Sequence, residues 1–311
     1  CSDYISVIKE METMQISLNI TVVFFLALFA IAEGVSLSKA DETTIFFENG
    51  KIALTAPIHS GYANHFTYGE GQKDYNFSLL IDKSEARMGS KYQRFELRNG
   101  DCFPMDGWND CENDRERFEF SSRPRQKPVG QKCYFYSLKI APNFVDVHPT
   151  NTDLGQVHQI GGPEGKAGGL KSFPPLIQIG AKKGKLVFKW HKLSGDPKNV
   201  RDQTVERTFA KLKELKSKWT DISFCLDFKN HKMIGWLNGE KKFQIDENPI
   251  LFEPQEIYFK YGIYRSFLTK YKKRRKTDEM PTQVVFYDEI RTGNSIEEVD
   301  INFNTSLSPV D

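Results

Sequence analysis

The sequence has no internal repeat and no long low-complexity segment, which excludes a repeat or fibrous architecture. It has one long apolar run, near its start, and no second, so the remainder offers no membrane-spanning helix. None of its Cys and His residues are spaced like the ligands of a zinc site. It has no strong charge imbalance, with 43 Lys and Arg against 41 Asp and Glu. What it does have is aromatics. There are 24 Phe and 12 Tyr, set in short runs with β-branched residues, and this tilts the expectation toward sheet. At 311 residues, 39% of them hydrophobic, the chain suits one large globular domain or two modest ones.

The apolar run, "NITVVFFLALFAIA" (Asn19 to Ala32), is short for a membrane span and is followed by small residues. It reads as the core of a signal peptide, cleaved between Ala32 and Ala40, with Met11 or Met14 as the start. An uncleaved anchor is the alternative. Residues 1–34 are assigned to this leader, 35–300 to a single folded domain and 301–311 to a loose tail. The expectation is a secreted, extracellular monomer, with no membrane attachment after processing and no nucleic-acid partner. Beyond residue 34 the chain holds 42 basic against 37 acidic side chains, and the excess is local. "KYKKRRK" (Lys270 to Lys276) has six cations in seven positions. It reads first as a solvated loop and second as an attractor of polyanions. Four cysteines remain there: Cys102, Cys111, Cys133 and Cys225. They fit two disulfides with three possible connectivities. A Cys102–Cys111 bridge would close a short loop, and Cys225 in "DISFCLDF" could instead be a buried thiol. Asn76 and Asn304 stand in glycosylation sequons.

Turn residues divide positions 43–300 into a dozen short apolar or alternating runs, the signature of an all-β jelly-roll sandwich of two antiparallel sheets. "WLNGEKKF" is a hairpin with Asn-Gly at its turn. "VERTFAKLKELKSKW" is the one candidate helix, since Val205, Phe209, Leu212 and Leu215 recur at helical spacing, with a long loop as the alternative. The Gly/Pro-rich stretch from Ile160 to Pro175 reads as a mobile loop over a cleft.

Three strands put unusual chemistry on one face. In "YQRFELRNG", Arg94, Glu96 and Arg98 alternate with Phe95 and Leu97. In "GQVHQI", Gln156 and His158 share a face. In "YFKYGIYRS", Tyr258, Lys260, Gly262 and Tyr264 do. Together "R-F-E-L-R", "Q-V-H" and "Y-F-K-Y-G-I-Y" resemble the three signature segments of the jelly-roll polysaccharide lyases, including the alginate lyases of family 7. "WTDISFCLDFKNHKMIGWLNGEKKF" and "VVFYDEIRTG" are most similar to the group holding glucuronan lyases (family 20) and heparin lyase I (family 13). The resemblance runs from "YQRFELR" to "YDEIRTG". It departs from family 7 where Tyr264 is followed by Arg265 and Ser266 rather than Asn-Gln, which argues against a standard alginate lyase.

The resemblance implies β-elimination on a β-1,4-linked polyuronate, glucuronan first and alginate or a heparin-like chain next. A base removes the C5 proton beside the carboxylate, and an acid protonates the departing C4 oxygen. It assigns Tyr264 as proton shuttle, with Arg94, Gln156 and His158 neutralising the carboxylate. Lys260, Arg98 and Arg265 would contact substrate, and Gly262 would let the sugar approach the sheet. One residue can serve as base and acid if proton and leaving group share a face of the sugar, as in glucuronate. Otherwise His158 must be the base. No cofactor is needed for the chemistry. A structural calcium is expected at Asp288, with Glu48 as a second ligand. The rival expectation is a lectin-like jelly roll that binds carbohydrate without cutting it. Hydrolysis would need two flanking acids, and Glu96 is the only acidic residue on these three faces.

Overall fold

The computed structural model describes residues 45–48, 51–54, 73–102, 104–105, 108–122, 125–161, 174–196, 199–247 and 254–311. Two short ribbons, β1 (Ile45–Glu48) with β2 (Lys51–Leu54) and β5 (Pro104–Met105) with β6 (Trp108–Asn109), stand apart from two large sheets. The strands that follow are β3 (Phe77–Ile81), β4 (Lys91–Leu97), β7 (Arg115–Ser121), β8 (Gln131–Ile140), β9 (Asn151–Ile160) and β10 (Ile177–Lys182). After them come β11 (Lys185–Asp196), β12 (Asn199–Lys211), β13 (Trp219–Asp227), β14 (Lys232–Leu237), β15 (Glu240–Ile245), β16 (Glu256–Ser266) and β17 (Gln283–Gly293). A six-stranded sheet runs β12-β11-β10-β9-β16-β7, and a seven-stranded sheet runs β15-β14-β13-β8-β17-β4-β3. Neighbours in both pair antiparallel. The expected two-sheet jelly roll is therefore the observed architecture.

Period-two alternation explains why the sheets face each other. Phe118 and Phe120 of β7, Val157 of β9, and Phe259, Tyr261 and Ile263 of β16 turn inward from one sheet. Phe95, Tyr134, Tyr136, Phe224 and Tyr287 meet them from the other. Phe95 packs edge-on against Phe120 at 5.2 Å and against Tyr287 at 5.1 Å, the geometry aromatic quadrupoles favour. Tyr287 also satisfies its buried hydroxyl across the core. Its oxygen lies 2.5 Å from the Leu154 carbonyl and 2.7 Å from the Gly262 carbonyl, tying β17 to β9 and β16.

The Asn-Gly hairpin forms between β14 and β15, with Asn238 and Gly239 both at positive φ. Both disulfides form, Cys102–Cys111 and Cys133–Cys225, so Cys225 is not a free thiol. Three expectations are corrected. Residues 205–211 continue β12 as a strand, and only Leu212–Leu215 makes a helical turn. The Val205–Phe209 spacing of four fits a strand as well as a helix, and pairing with β11 decides it. The tail is not loose. Ile301 and Val310 are buried, and the Asp311 carboxylate accepts the backbone N–H groups of Ser90 and Lys91. Asn76 is fully buried and its amide donates to Glu96 O and Asp101 Oδ2, which leaves no access for a glycan. Most of the Ile160–Pro175 loop, residues 162–173, lies outside the described residues, as does residues 1–34. Thr43–Asp311 forms one compact unit.

Gly262 is the residue on which the centre of the six-stranded sheet turns. Opposite β9, the register shifts between Tyr261 and Tyr264, so Gly262 and Ile263 together face Leu154. Opposite β7 the register is unbroken, with Gly262 facing Glu119. Gly262 has φ +127°, and a Cβ there would lie 2.3 Å from the Phe118 carbonyl oxygen. This backbone requirement stands beside the expected role of admitting the sugar. Gly262→Ala is expected to cost about 2 kcal/mol or more of stability. Urea denaturation checks this, and an unchanged midpoint would remove the steric argument.

Candidate active site

The polar face of β7, β16 and β9 is the side of the six-stranded sheet turned away from the core. Register fixes who stands beside whom. Arg117 of β7 faces Tyr264 of β16, which faces Asp153 of β9. Lys260 faces Gln156, and Tyr258 faces His158. Adjacent strands lie about 4.8 Å apart, so each row is within side-chain reach.

The centre of this face is Glu119, which is 1% exposed. Its Oε2 is 2.5 Å from Lys260 Nζ and 3.4 Å from Arg117 Nη1, and its Oε1 accepts from the Gln156 amide. Glu119 sits on β7 and Gln156 on β9, so this bond crosses β16 at Gly262, where no side chain stands in the way. Burial pushes the Lys260 ammonium below its usual pKa, and Glu119 opposes that.

Arg117 is clamped from above. Asp110 accepts Arg117 Nε at 2.5 Å and Nη2 at 2.6 Å, a bidentate pair. Trp108 Nε1 donates to Asp110 Oδ1 at 2.8 Å. Both residues lie in the loop closed by Cys102–Cys111. So held, the guanidinium sits 4.4 Å from the centre of the Tyr264 ring. Burial pushes the half-buried Tyr264 phenol up to about 12, with Arg117 and Arg115 pulling the other way.

His158 stacks on Tyr258 at 5.3 Å. Burial, and then the Lys260 charge, push it down to about 3, so the ring is neutral at ordinary pH. Its Nδ1 receives the Gln159 backbone N–H at 2.9 Å, and the Gln159 carbonyl oxygen lies 3.1 Å from the same nitrogen. Both contacts engage Nδ1 and not Nε2, and the donor and acceptor roles at Nδ1 follow the ring's tautomer.

The polar face continues across β10 and β11. Gln178 donates to Asp153 at 2.5 Å, and His191 bridges Gln178 at 2.8 Å and Asp202 at 2.7 Å. Burial pushes the Asp153 carboxyl up to about 6. A shallow, open cleft lies here, lined by Asp153, Gln178, Lys182, Lys189 and Glu206 among others.

A family model described as "Polysaccharide lyase" matches residues 59–291. The chain belongs to this polysaccharide lyase family. Among solved structures, this lyase is similar to endo-β-1,4-glucuronan lyase from the fungus Trichoderma reesei, with a TM-score of 0.55 and 14% identity over 77% of this chain and 95% of that one. A family 7 alginate lyase in complex with its product aligns at TM-score 0.48 and 12% identity, over 72% of this chain and 85% of that one. The likeness to the first shows the fold. No curated protein sequence matches the chain. Among the described residues, no helix is long and apolar enough to cross a membrane.

Within the lyase, Gln156, His158, Lys260, Gly262 and Tyr264 converge as their strand faces require. Arg94 and Arg98 do not join them. Arg94 lies on β4, in the other sheet, and Arg98 just beyond its end, with Phe95 and Leu97 turned into the core, and both arginines bind Glu96 on the sheet's outer side. Arg265 is fully buried on the side of β16 away from Tyr264. It pairs with Glu116 at 2.5 Å and donates to the carbonyls of Pro281 and Arg98, so it braces strand ends and does not meet substrate. Lys260, 3% exposed, is held inside the cluster on Glu119 and stands beneath the surface a substrate would touch.

Arg117, Glu119 and Asp110 were not anticipated. The signal was present, because "RFEF" (Arg117 to Phe120) repeats the pattern of "RFEL" (Arg94 to Leu97), and only pairing with β16 tells them apart. The calcium expected at Asp288 does not fit. Its oxygens accept backbone N–H groups from Arg87, Met88 and Glu289, donors that would repel a cation. The Glu48 side chain lies outside the described residues, and no cluster of three or more His, Cys, Asp or Glu suited to a metal occurs among them.

Glu119→Gln leaves the buried Lys260 without its carboxylate and is expected to cost about 3 kcal/mol. The double variant Glu119→Leu/Lys260→Met, which removes both charges, is expected to recover most of that loss. Chemical denaturation of the two variants checks this, and equal stability of single variant and wild type would mean that the pair does not hold the face together.

Proposed function

We propose that this lyase cleaves a β-1,4-linked polyuronate of glucuronan type by β-elimination, with Tyr264 moving the proton. The observation that carries the reading is the register that sets Tyr264 between Arg117 and Asp153, with Gln156 and His158 on the same sheet face. The Gln159 backbone engages His158 at Nδ1, and in the proposed mechanism the ring carries its proton on Nε2. It then serves as a donor to the substrate carboxylate rather than as a base. Gln156 has a second amide N–H beyond the one on Glu119, and Arg117 supplies positive charge beside Tyr264. These groups stabilise the charge that builds on the carboxylate as C5 loses its proton.

With His158 as a donor, Tyr264 must take the C5 proton and return one to the C4 oxygen. A single residue can do this only when both lie on the same face of the ring. Glucuronate meets that condition, whereas guluronate and iduronate do not. The similar fold described as an endo-β-1,4-glucuronan lyase supports the same choice. The two disulfides support the expectation of secretion into an oxidising environment.

Incubation with glucuronan, alginate and heparin tests the substrate, read by ultraviolet absorbance of the new C4–C5 double bond. Fastest rise with glucuronan is expected, and activity confined to a guluronate- or iduronate-rich chain would overturn the assignment. Tyr264→Phe is expected to lower kcat by about a hundredfold or more with KM little changed. The pH profile follows from the ionisation. The phenol's pKa is raised, so the base form is scarce at neutral pH and kcat/KM should climb through the alkaline range. Arg117→Gln removes the charge that favours the phenolate and should move that limb to higher pH. A limb that stays in place would detach Arg117 from Tyr264.

A further inference from the structure

The cations of the reaction centre are already spoken for. Lys260 is paired with Glu119, and Arg117 with both Asp110 and Glu119. A polyanion gains little long-range attraction from a face whose charges cancel. We propose that the helix Leu268–Arg275, with the following Lys276, is a separate binding site for the acidic polysaccharide chain, holding it outside the point of cleavage. This rests on the polyuronate reading above.

The helix leaves β16 two residues after Tyr264. Phe267 makes the turn at φ +66°. Leu268 and Tyr271 bury one side of the helix against Val147 and Met280. The Asp114 carboxylate fixes its first turn, accepting Thr269 N at 3.0 Å and Thr269 Oγ1 at 2.7 Å. Arg115, two residues before Arg117 on β7, lies 4.1 Å from the centre of the Phe267 ring, and Lys270 lies 4.0 Å from it. A track of cations thus runs from the edge of the Tyr264 site along Arg115 and Lys270 onto the helix.

On the helix itself, Lys270, Lys273, Arg274, Arg275 and Lys276 are exposed. Among the described residues, no Asp or Glu lies within ion-pair distance of any cation from Lys270 to Lys276, although Asp278 and Glu279 follow closely in sequence. Like charges at positions four apart, such as Lys270 and Arg274, disfavour a helix. The macrodipole compensates only cations near the C-terminal end. The helix is held by its buried side and by Asp114; half-buried Lys272 is felt by the Glu116 carboxylate, and the exposed cations are left for an external anion. A flexible chain of carboxylates lying along the track would meet them.

The test is the triple variant Lys273→Gln/Arg274→Gln/Lys276→Gln, with circular dichroism to confirm folding. Binding is measured in a Tyr264→Phe background, so that cleavage does not consume the glucuronan probe. Turnover is measured separately, on long glucuronan and on short oligomers cut from it. Affinity for the long chain is expected to fall about tenfold, and the slope of log affinity against log salt to lessen by about one to two. The KM for long glucuronan should rise while the KM for short oligomers stays unchanged. Unaltered affinity and salt slope in the triple variant would overturn the proposal, even in a protein that cuts glucuronan well. Loss of salt-dependent glucuronan binding in the variant of a protein that cuts no polyuronate would uphold the helix site and remove the catalytic reading.

Discussion

A buried carboxylate holds the functional face together. Glu119 is nearly inaccessible to solvent, and an isolated carboxylate in such a place would be costly. It is tolerable because three donors from three adjacent strands converge on it: Arg117 from β7, Lys260 from β16 and Gln156 from β9. Each donor is in turn fixed by that bond. The arrangement does not rank as a large net contribution to stability, since paired buried ions often gain little over apolar groups. Its effect is to give long, flexible side chains one position each, which a reaction centre needs.

The sandwich beneath supplies the geometry. Glu119 can reach Gln156 because the position between them carries glycine, and glycine is required there because the neighbouring backbone leaves no space for a Cβ. The bulge at that point is braced from below by Tyr287, whose hydroxyl meets the carbonyls of Leu154 and Gly262 from the opposite sheet. From above, the loop closed by Cys102–Cys111 delivers Asp110 to Arg117, and Arg117 to the Tyr264 ring. The phenol is thus placed by elements from both sheets and one disulfide, although only Tyr264 itself would touch the reacting atoms.

Much of this was legible in the sequence. Alternation of aromatic and polar residues gave the strands, and the Asn-Gly hairpin was unambiguous, because period two and turn chemistry are local properties. The faces carrying His158, Gln156, Lys260 and Tyr264 followed from the same periodicity. What failed was whatever depends on which strand lies beside which. "RFEL" and "RFEF" have equal claims until pairing places the second against β16 and the first in the other sheet. From the sequence, Arg265 is expected to contact substrate one position from Tyr264, but that one position turns it to the opposite side, where Glu116 and two carbonyls enclose it. The tail reads as loose because its buried contacts, at Ile301, Val310 and Asp311, are isolated rather than periodic.

On the proposed function, the charge distribution has a physical logic for an enzyme that would act on a polyanion. Unpaired cations at the reaction centre would attract the substrate carboxylate as strongly before reaction as during it, which tightens binding without hastening the chemical step. Oriented neutral donors, such as an imidazole N–H and an amide N–H, interact modestly with a resting carboxylate. They gain as charge accumulates on it in the transition state. Neutralising Lys260 and Arg117 with Glu119 and Asp110 keeps the centre in the second regime, while Arg117 remains close enough to favour the phenolate of Tyr264. Long-range capture of a charged chain then has to come from elsewhere. Lys270, Lys273, Arg274 and Arg275 of the Leu268–Arg275 helix are exposed to solvent, where their field reaches a distant polyanion and is open to screening by salt. Separating capture from chemistry in this way lets affinity for the polymer vary with ionic strength while the buried pairs that position the phenol stay largely unscreened.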